Sequence, residues 1–174
     1  MIAGAITNGD IFINNAVPAH MEALTEKLCH IGVQLDWQDK GVHITTPNPL
    51  VPTDVSTDVY PGFPTDMQAQ IMGLMALTPG KSMITESIFP DRFMHVSELS
   101  RMGAKILVDG NSAFIHGVNS LSGAPVMASD LRAGAVLILA GMAAKGETVI
   151  SRVYHIDRGY EKIEEKLTNI GADI

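Results

Sequence analysis

The chain has 174 residues, of which 46% are apolar and 18% charged, and its formal charge is −7. This length allows one large domain or two small ones, and so apolar a composition excludes a disordered chain. An acidic chain without a Lys/Arg run presents no basic stripe for nucleic acid or an anionic membrane, so neither is an expected partner, and any bound anion must be held by a few placed arginines.

Cys29 is the one cysteine, which excludes an internal disulfide framework and a cysteine zinc site and fits a reducing cytosol. Met1-Ile2-Ala3-Gly4 lacks the basic start of a signal peptide. The longest apolar run, Ala133 to Ala144, falls short of the roughly 20 residues of a membrane span and reads as a buried helix.

In chain order, one pattern occurs three times. It runs from Gly9 to Gly32, from Gly80 to Gly103 and from Gly146 to Gly171, with glycine spacings of 23, 23 and 25 residues. Such self-similarity implies repeated supersecondary units, here about 9–79, 80–145 and an incomplete 146–174, within a single lobe over 1–174. Each unit opens on a short alternating strand, as at Ile11 and Ile13. An amphipathic helix follows, with Met21, Leu24, Leu28 and Ile31 on one face in the first unit and Tyr160, Ile163, Leu167 and Ile170 in the third. The closing glycine suits a left-handed C-cap. Hairpins are expected next, Val33–Trp37 with Val42–Thr45 and Lys105–Val108 with Ala113–His116.

A second kind of helix completes the unit. Asp66–Leu77 and Leu131–Ala144 are apolar on nearly every side, and such helices are enclosed on every side. The sequence therefore predicts an α/β (α+β) fold with enclosed helices and sheets outside them. Met1–Ile6 reads as the remnant of a third enclosed helix, and the third unit lacks its hairpin. The expectation is a piece of a larger protein, truncated at both ends.

The enclosed helices begin alike, Thr65-Asp66-Met67 and Ser129-Asp130-Leu131, with Thr65 and Ser129 as natural N-caps and the aspartates in the first turn. Arg132 opposes the helix dipole there and needs another reason for its place. Arg92 and Arg158 each lie twelve residues after their unit's opening glycine. Pairing with the neighbouring Asp91, Asp130 and Asp157 is one reading of these arginines. The other is a shared surface of helix N-termini and guanidinium forks, which suits a phosphate or carboxylate. The six histidines have no metal-ligand spacing, so no metal and no cofactor is expected, and Cys29 reads as a semi-buried filler.

Val59 to Gln70 (VYPGFPTDMQAQ), Arg92–Val96 (RFMHV), Glu98–Ala104 (ELSRMGA), Ala128–Ala133 (ASDLRA) and His155–Glu161 (HIDRGYE) are very similar to strings of the bacterial UDP-N-acetylglucosamine enolpyruvyl transferases. The shikimate-pathway enolpyruvyl transferases share the repeat but not these strings. The resemblance covers essentially the whole chain. It implies one of two inside-out α/β barrel domains, with substrates in the cleft between them. It also implies a cytoplasmic transferase of peptidoglycan synthesis and cell wall biogenesis, which moves enolpyruvate from phosphoenolpyruvate to the 3-hydroxyl of UDP-N-acetylglucosamine and releases phosphate.

Carried over by motif, Asp66 contacts the sugar 3-hydroxyl and is a candidate base, and Ile88 meets the UDP-sugar through its backbone. Arg92, Arg132 and Arg158 line the phosphoenolpyruvate side, and Asp130 stands near the reacting carbons. Asp66, Asp130 and Arg158 are thus the candidate catalytic residues. The family's other domain supplies a lysine, an asparagine and a loop cysteine that are not found here, so the missing domain is the expected partner and the chain alone is expected to be inactive. A non-catalytic scaffold with the same fold, or an enolpyruvyl transferase for another acceptor such as shikimate 3-phosphate, are the alternative readings.

Overall fold

The computed structural model describes residues 1–47 and 49–174. Three helices form its interior: α1 (Ile2–Ile6), α3 (Gln68–Ala76) and α5 (Leu131–Ala143). Each contacts the other two. All nine residues of α3 are buried, as a helix apolar on every side requires. Small residues set the spacing, since a Cβ on Gly73 would come within 2.7 Å of the Val136 side chain of α5.

Sheets lie outside these helices. β1 (Ile11–Asn14), β2 (Gln34–Gln38) and β3 (Gly41–Thr45) form one sheet in the order β1-β3-β2, all antiparallel. β4 (Val55–Ser56), β5 (Lys81–Thr85), β6 (Lys105–Asp109) and β7 (Ser112–His116) form the second in the order β4-β5-β7-β6. β8 (Pro125–Met127) and β9 (Val149–Ser151) pair in parallel as the third. Val42, Ile44, Ala113 and Ile115 point inward from β3 and β7 and are essentially fully buried. This arrangement, helices within and sheets without, is the inside-out α/β architecture expected from the sequence.

The outer helices are α2 (Glu22–Ile31), α4 (Val96–Arg101), α6 (Tyr154–Asp157) and α7 (Ile163–Thr168). α2 buries Leu24, Leu28 and Ile31 and ends on Gly32 at φ 105°. Gly103 and Gly171 take the same left-handed conformation at 97° and 100°, as their positions after each helix demand. The hairpins fall within a residue of their expected bounds.

Three expectations need correction. The third amphipathic helix is broken: Lys162 has φ 47°, α6 and α7 are separate, and no residue of α7 is buried. Ile170 is 56% exposed because no hairpin packs over this face among the described residues, whereas α2 packs on β2 and α4 on β6. α5 is less enclosed than α3, since Leu139, Met142 and Ala143 remain partly open. Cys29 is exposed, on the outer side of α2, and is not a filler.

His95, just before α4, is 4% exposed, with Nε2 3.3 Å from Sδ of Met72 on α3. Burial pushes its pKa down to about 4, against a weaker opposing pull from Asp130. The folded chain therefore keeps His95 neutral over a range in which the unfolded chain, at about 6.5, binds a proton. Stability supplied by this neutral imidazole is complete above pH 6.5 and is lost as pH falls from about 6.5 to about 4. At about 1.4 kcal/mol per unit, the loss amounts to about 3 kcal/mol. Urea titrations across that window are expected to show this component in the native chain and not in His95→Gln; parallel pH profiles would refute it.

Candidate active-site rim

The rim is built where α3 and α5 begin. α3 is preceded by a 3-10 turn at Thr65–Met67, so Asp66 stands ahead of the α-helix proper instead of within its first turn. The expected caps are also different. Asp130 caps α5, its Oδ1 accepting the backbone N–H of Arg132 at 2.7 Å and of Ala133 at 3.0 Å. Ser129 does not cap; its hydroxyl is buried and unpartnered among the described residues. Thr65 donates its hydroxyl hydrogen to Glu86 Oε2 at 2.8 Å. Because Asp130 occupies the amides at the start of α5, that terminus does not offer them free to an anion.

Among the described residues the guanidinium groups do not pair with the aspartates next to them in sequence. Arg132, on the first turn of α5, reaches Asp66 Oδ1 with Nε at 2.7 Å and Nη2 at 2.6 Å. Arg92 lies in the turn ahead of α4 and reaches the same Oδ1 with Nη1 at 3.1 Å. Two guanidinium groups from elements far apart in sequence thus converge on one carboxylate oxygen. Oδ2 of Asp66 has no partner among the described residues. The Asp66 side chain is 62% exposed while those of Arg92 and Arg132 are 20% and 26% exposed. The carboxylate stands at the surface with its cations behind it.

This pairing fixes the electrostatics. The hydrogen bond from Arg132 holds the Asp66 carboxyl below the ordinary carboxylate range; partial burial opposes it, and the charges of Arg132 and Arg92 reinforce it. Asp66 is ionised at neutral pH and is a weak base while both arginines hold it. Arg132 is correspondingly raised, chiefly by the bond to Asp66.

Arg158 is not at a helix N-terminus. It caps the C-terminal end of α6, exposed, and makes no ion pair among the described residues. Its neighbours still tie it to the same end of the molecule. Gly159 packs on Leu131 of α5, and the Tyr160 hydroxyl accepts a hydrogen bond from Gln70 Nε2 of α3 at 3.3 Å. Asp130 enters through its cap. Asp66, Arg92 and Arg132 are therefore brought into direct contact, Asp130 joins them through its cap on α5, and Arg158 is tied to that side only through Gly159 and Tyr160.

On the other side of Asp66 a cavity of about 520 Å³ opens between the start of α2 and the loop 58–64. His20, Met21, Tyr60, Pro61, Asp66 and Ile88 are among its walls. The loop is held by the Asp58 N–H bond to the Phe63 carbonyl at 2.9 Å and by Asp58 Oδ1 accepting the Val59 N–H at 2.7 Å. Gly62 is required there, since a Cβ would come within 2.6 Å of Asp58 Cβ. Ile88 donates its backbone N–H to Glu86 Oε1 at 3.0 Å, so its carbonyl is the backbone group left for a ligand.

Sequence reasoning missed Glu86, Thr57 and Gln70. All three are polar and buried, Thr57 and Glu86 just past the ends of β4 and β5 and Gln70 within α3, and a single polar residue at such a place carries no signal of the partner it meets across the fold. Among the described residues no group of three or more His, Cys, Asp and Glu side chains is placed to hold a metal, and no helix is long and apolar enough to cross a membrane.

The family model described as EPSP synthase (3-phosphoshikimate 1-carboxyvinyltransferase) matches residues 1–167. Curated relatives carry the name UDP-N-acetylglucosamine 1-carboxyvinyltransferase. The one from Granulibacter bethesdensis is 56% identical over 172 residues, 99% of this chain and 41% of its own length. The one from Solidesulfovibrio magneticus is 56% identical over 174 residues, 100% of this chain and 42% of its own. Among solved structures, the enolpyruvyl transferase NikO from Streptomyces tendae superposes with a TM-score of 0.86 at 27% identity, over 99% of this chain and 42% of that one. EPSP synthase from Acinetobacter baumannii shares the fold, with a TM-score of 0.65 at 17% identity, over 92% of this chain and 42% of that one. The chain thus spans about 42% of the length of such relatives. The architecture agrees with these matches, and the chain belongs to the EPSP synthase family of enolpyruvyl transferases.

Proposed function

We propose that this chain forms one lobe, over 1–174, of an enzyme that transfers enolpyruvate from phosphoenolpyruvate to the 3-hydroxyl of UDP-N-acetylglucosamine. The observation that carries the reading is the convergence of Arg92 and Arg132 on one oxygen of Asp66, a largely exposed side chain whose other oxygen has no partner among the described residues. The similarity of the chain to relatives of that name supports the choice of acceptor over shikimate 3-phosphate.

In this reading Asp66 Oδ2 accepts a hydrogen bond from the sugar 3-hydroxyl and aligns its oxygen on C2 of phosphoenolpyruvate. The sugar oxygen adds to C2 as its proton passes to Asp66 and C3 takes up a proton from a group of the rest of the polypeptide; loss of a proton from C3 then restores the C2–C3 double bond and expels phosphate with the electrons of the C2–O bond. Arg92, Arg132 and Arg158 hold the substrate's phosphate and carboxylate, fixed cations aimed at charge that builds on the departing phosphate. Asp130 stands beside the reacting carbons and, through its cap, keeps Arg132 on the rim. The Ile88 carbonyl meets the UDP-sugar in the adjoining cavity. An anion that draws Arg132 toward itself also releases Asp66, whose basicity then rises when the hydroxyl must lose its proton.

The remaining groups come from the rest of the polypeptide, a second domain facing this rim, and the 174-residue chain alone turns nothing over. Peptidoglycan synthesis in the cytoplasm is the setting this reading implies. Phosphate release by the complete polypeptide, measured with each acceptor, tests it. Turnover with UDP-N-acetylglucosamine and none with shikimate 3-phosphate is expected; the reverse, or none with either, would overturn it.

A further inference from the structure

Glu86 is a carboxylate that the proposed reaction does not use. It is 0% exposed, and no lysine or arginine pairs with it among the described residues. A buried charge of this kind persists only when its oxygens are filled by donors. Oε1 accepts the Thr57 hydroxyl at 2.6 Å and the backbone N–H of Ile88 and Phe89, both at 3.0 Å. Oε2 accepts the Thr65 hydroxyl at 2.8 Å. Burial alone would raise this carboxyl, but the donors outweigh it and hold it below its ordinary value, so Glu86 is ionised.

Two of these bonds lead to Arg92. The Thr65 hydroxyl has one hydrogen, and Glu86 takes it. Its lone pairs must then face the other way, where Oγ1 accepts Arg92 Nη1 at 2.8 Å. That guanidinium also lies over the Phe89 ring, 3.9 Å from its centre, and Glu86 anchors the Phe89 backbone. One carboxylate therefore fixes Arg92 from two directions, and by holding the Phe89 N–H, which shares a peptide plane with the Ile88 carbonyl, it also orients that carbonyl. We propose that Glu86 is a positioning residue, which sets the polarity of the Thr65 hydroxyl and so locks Arg92 against Asp66 in the geometry that receives an anionic substrate. The proposal rests on the reading that Arg92 faces such a substrate.

The chemistry makes Glu86→Gln a sharp probe. An amide nitrogen cannot occupy the Oε1 position, where three donors already point. It must take the Oε2 position, where it donates to Thr65. The Thr65 hydroxyl is then turned round, its hydrogen aimed at the Arg92 guanidinium, and the hydrogen bond to Arg92 is lost. Thr65→Val removes the same relay while leaving Glu86 intact.

In the complete polypeptide both variants are expected to raise KM for phosphoenolpyruvate roughly tenfold, with a smaller change in kcat. The double variant should be no worse than either single one, because both cut one path. Additive losses, or a fall in kcat with KM unchanged, would overturn the proposal. Crystal structures of the same variants read the geometry without any activity: Arg92 displaced from Oγ1 of Thr65 and from Asp66 supports positioning, and an unmoved Arg92 refutes it. If the native enzyme shows no transfer at all, the reading of the site fails, and the structural arm still decides the role of Glu86.

Discussion

Replacing Asp66 by asparagine is expected to cut turnover of the complete polypeptide by about two to four orders of magnitude, the range for loss of a positioned base or acceptor. The accompanying change in KM separates this account from simpler ones. In the resting rim Asp66 holds Arg92 and Arg132, and in the proposed reading it competes for them with the incoming anion. Asparagine removes that competitor's charge, so KM for phosphoenolpyruvate is expected to stay level or fall while kcat collapses. Steady-state kinetics with phosphoenolpyruvate as the varied substrate checks this. A raised KM with kcat near native would mean that Asp66 builds the anion site instead of acting on the acceptor.

The second large effect concerns the fold. Gly117→Ala is expected to destabilise the chain by about 3–5 kcal/mol. β7 ends at His116, and the chain then crosses the end of α3 so closely that a Cβ on Gly117 would sit 1.7 Å from the Thr78 carbonyl oxygen. The obstacle is backbone, which cannot rotate away as a side chain does. Relief requires separating the Gly117 N–H from the Gly80 carbonyl and the Val118 N–H from the Ala76 carbonyl, now 2.9 and 2.8 Å apart. For a chain of this size a loss of about 3 kcal/mol lowers Tm by about 6–12 °C. Gly110→Asn in the β6–β7 turn is the control, since asparagine tolerates φ 57° and nothing lies near the added atoms; it should cost less than about 1 kcal/mol. Equal melting of the two variants would show that the close crossing does not exist.

Much of the frame was legible because its signals are local. The period of Leu24, Leu28 and Ile31, the glycine that ends α2, and the apolar run Ile71–Ala76 of α3 each carry their own structural instruction. β4 and β8 were not legible. Strands of two and three residues are too short to show alternation, and they exist because β5 and β9 offer an edge. The break at Lys162 escaped for a related reason: the apolar period runs through it, but among the described residues no residue of α7 on that face is fully buried, and Tyr160 turns to Gln70.

At the rim, residue types were readable and partners were not. Arginine beside aspartate suggested local pairing, yet Asp130 is committed to the backbone of α5 and Arg132 crosses to Asp66. Thr65 looked like a cap and is a relay to Glu86. Both outcomes depend on α3 and α5 starting side by side, a fact of tertiary packing that no sequence window contains.

The placement of the acceptor is the claim on which the functional account depends. A crystal structure of the complete polypeptide with UDP-N-acetylglucosamine tests it directly. The account predicts the sugar 3-hydroxyl within hydrogen-bond reach of Asp66 Oδ2, roughly 3.5 Å or less, with the UDP-sugar extending past the Ile88 carbonyl into the adjoining cavity. A sugar bound away from Asp66, with Arg92 and Arg132 still closed on the carboxylate, would contradict it.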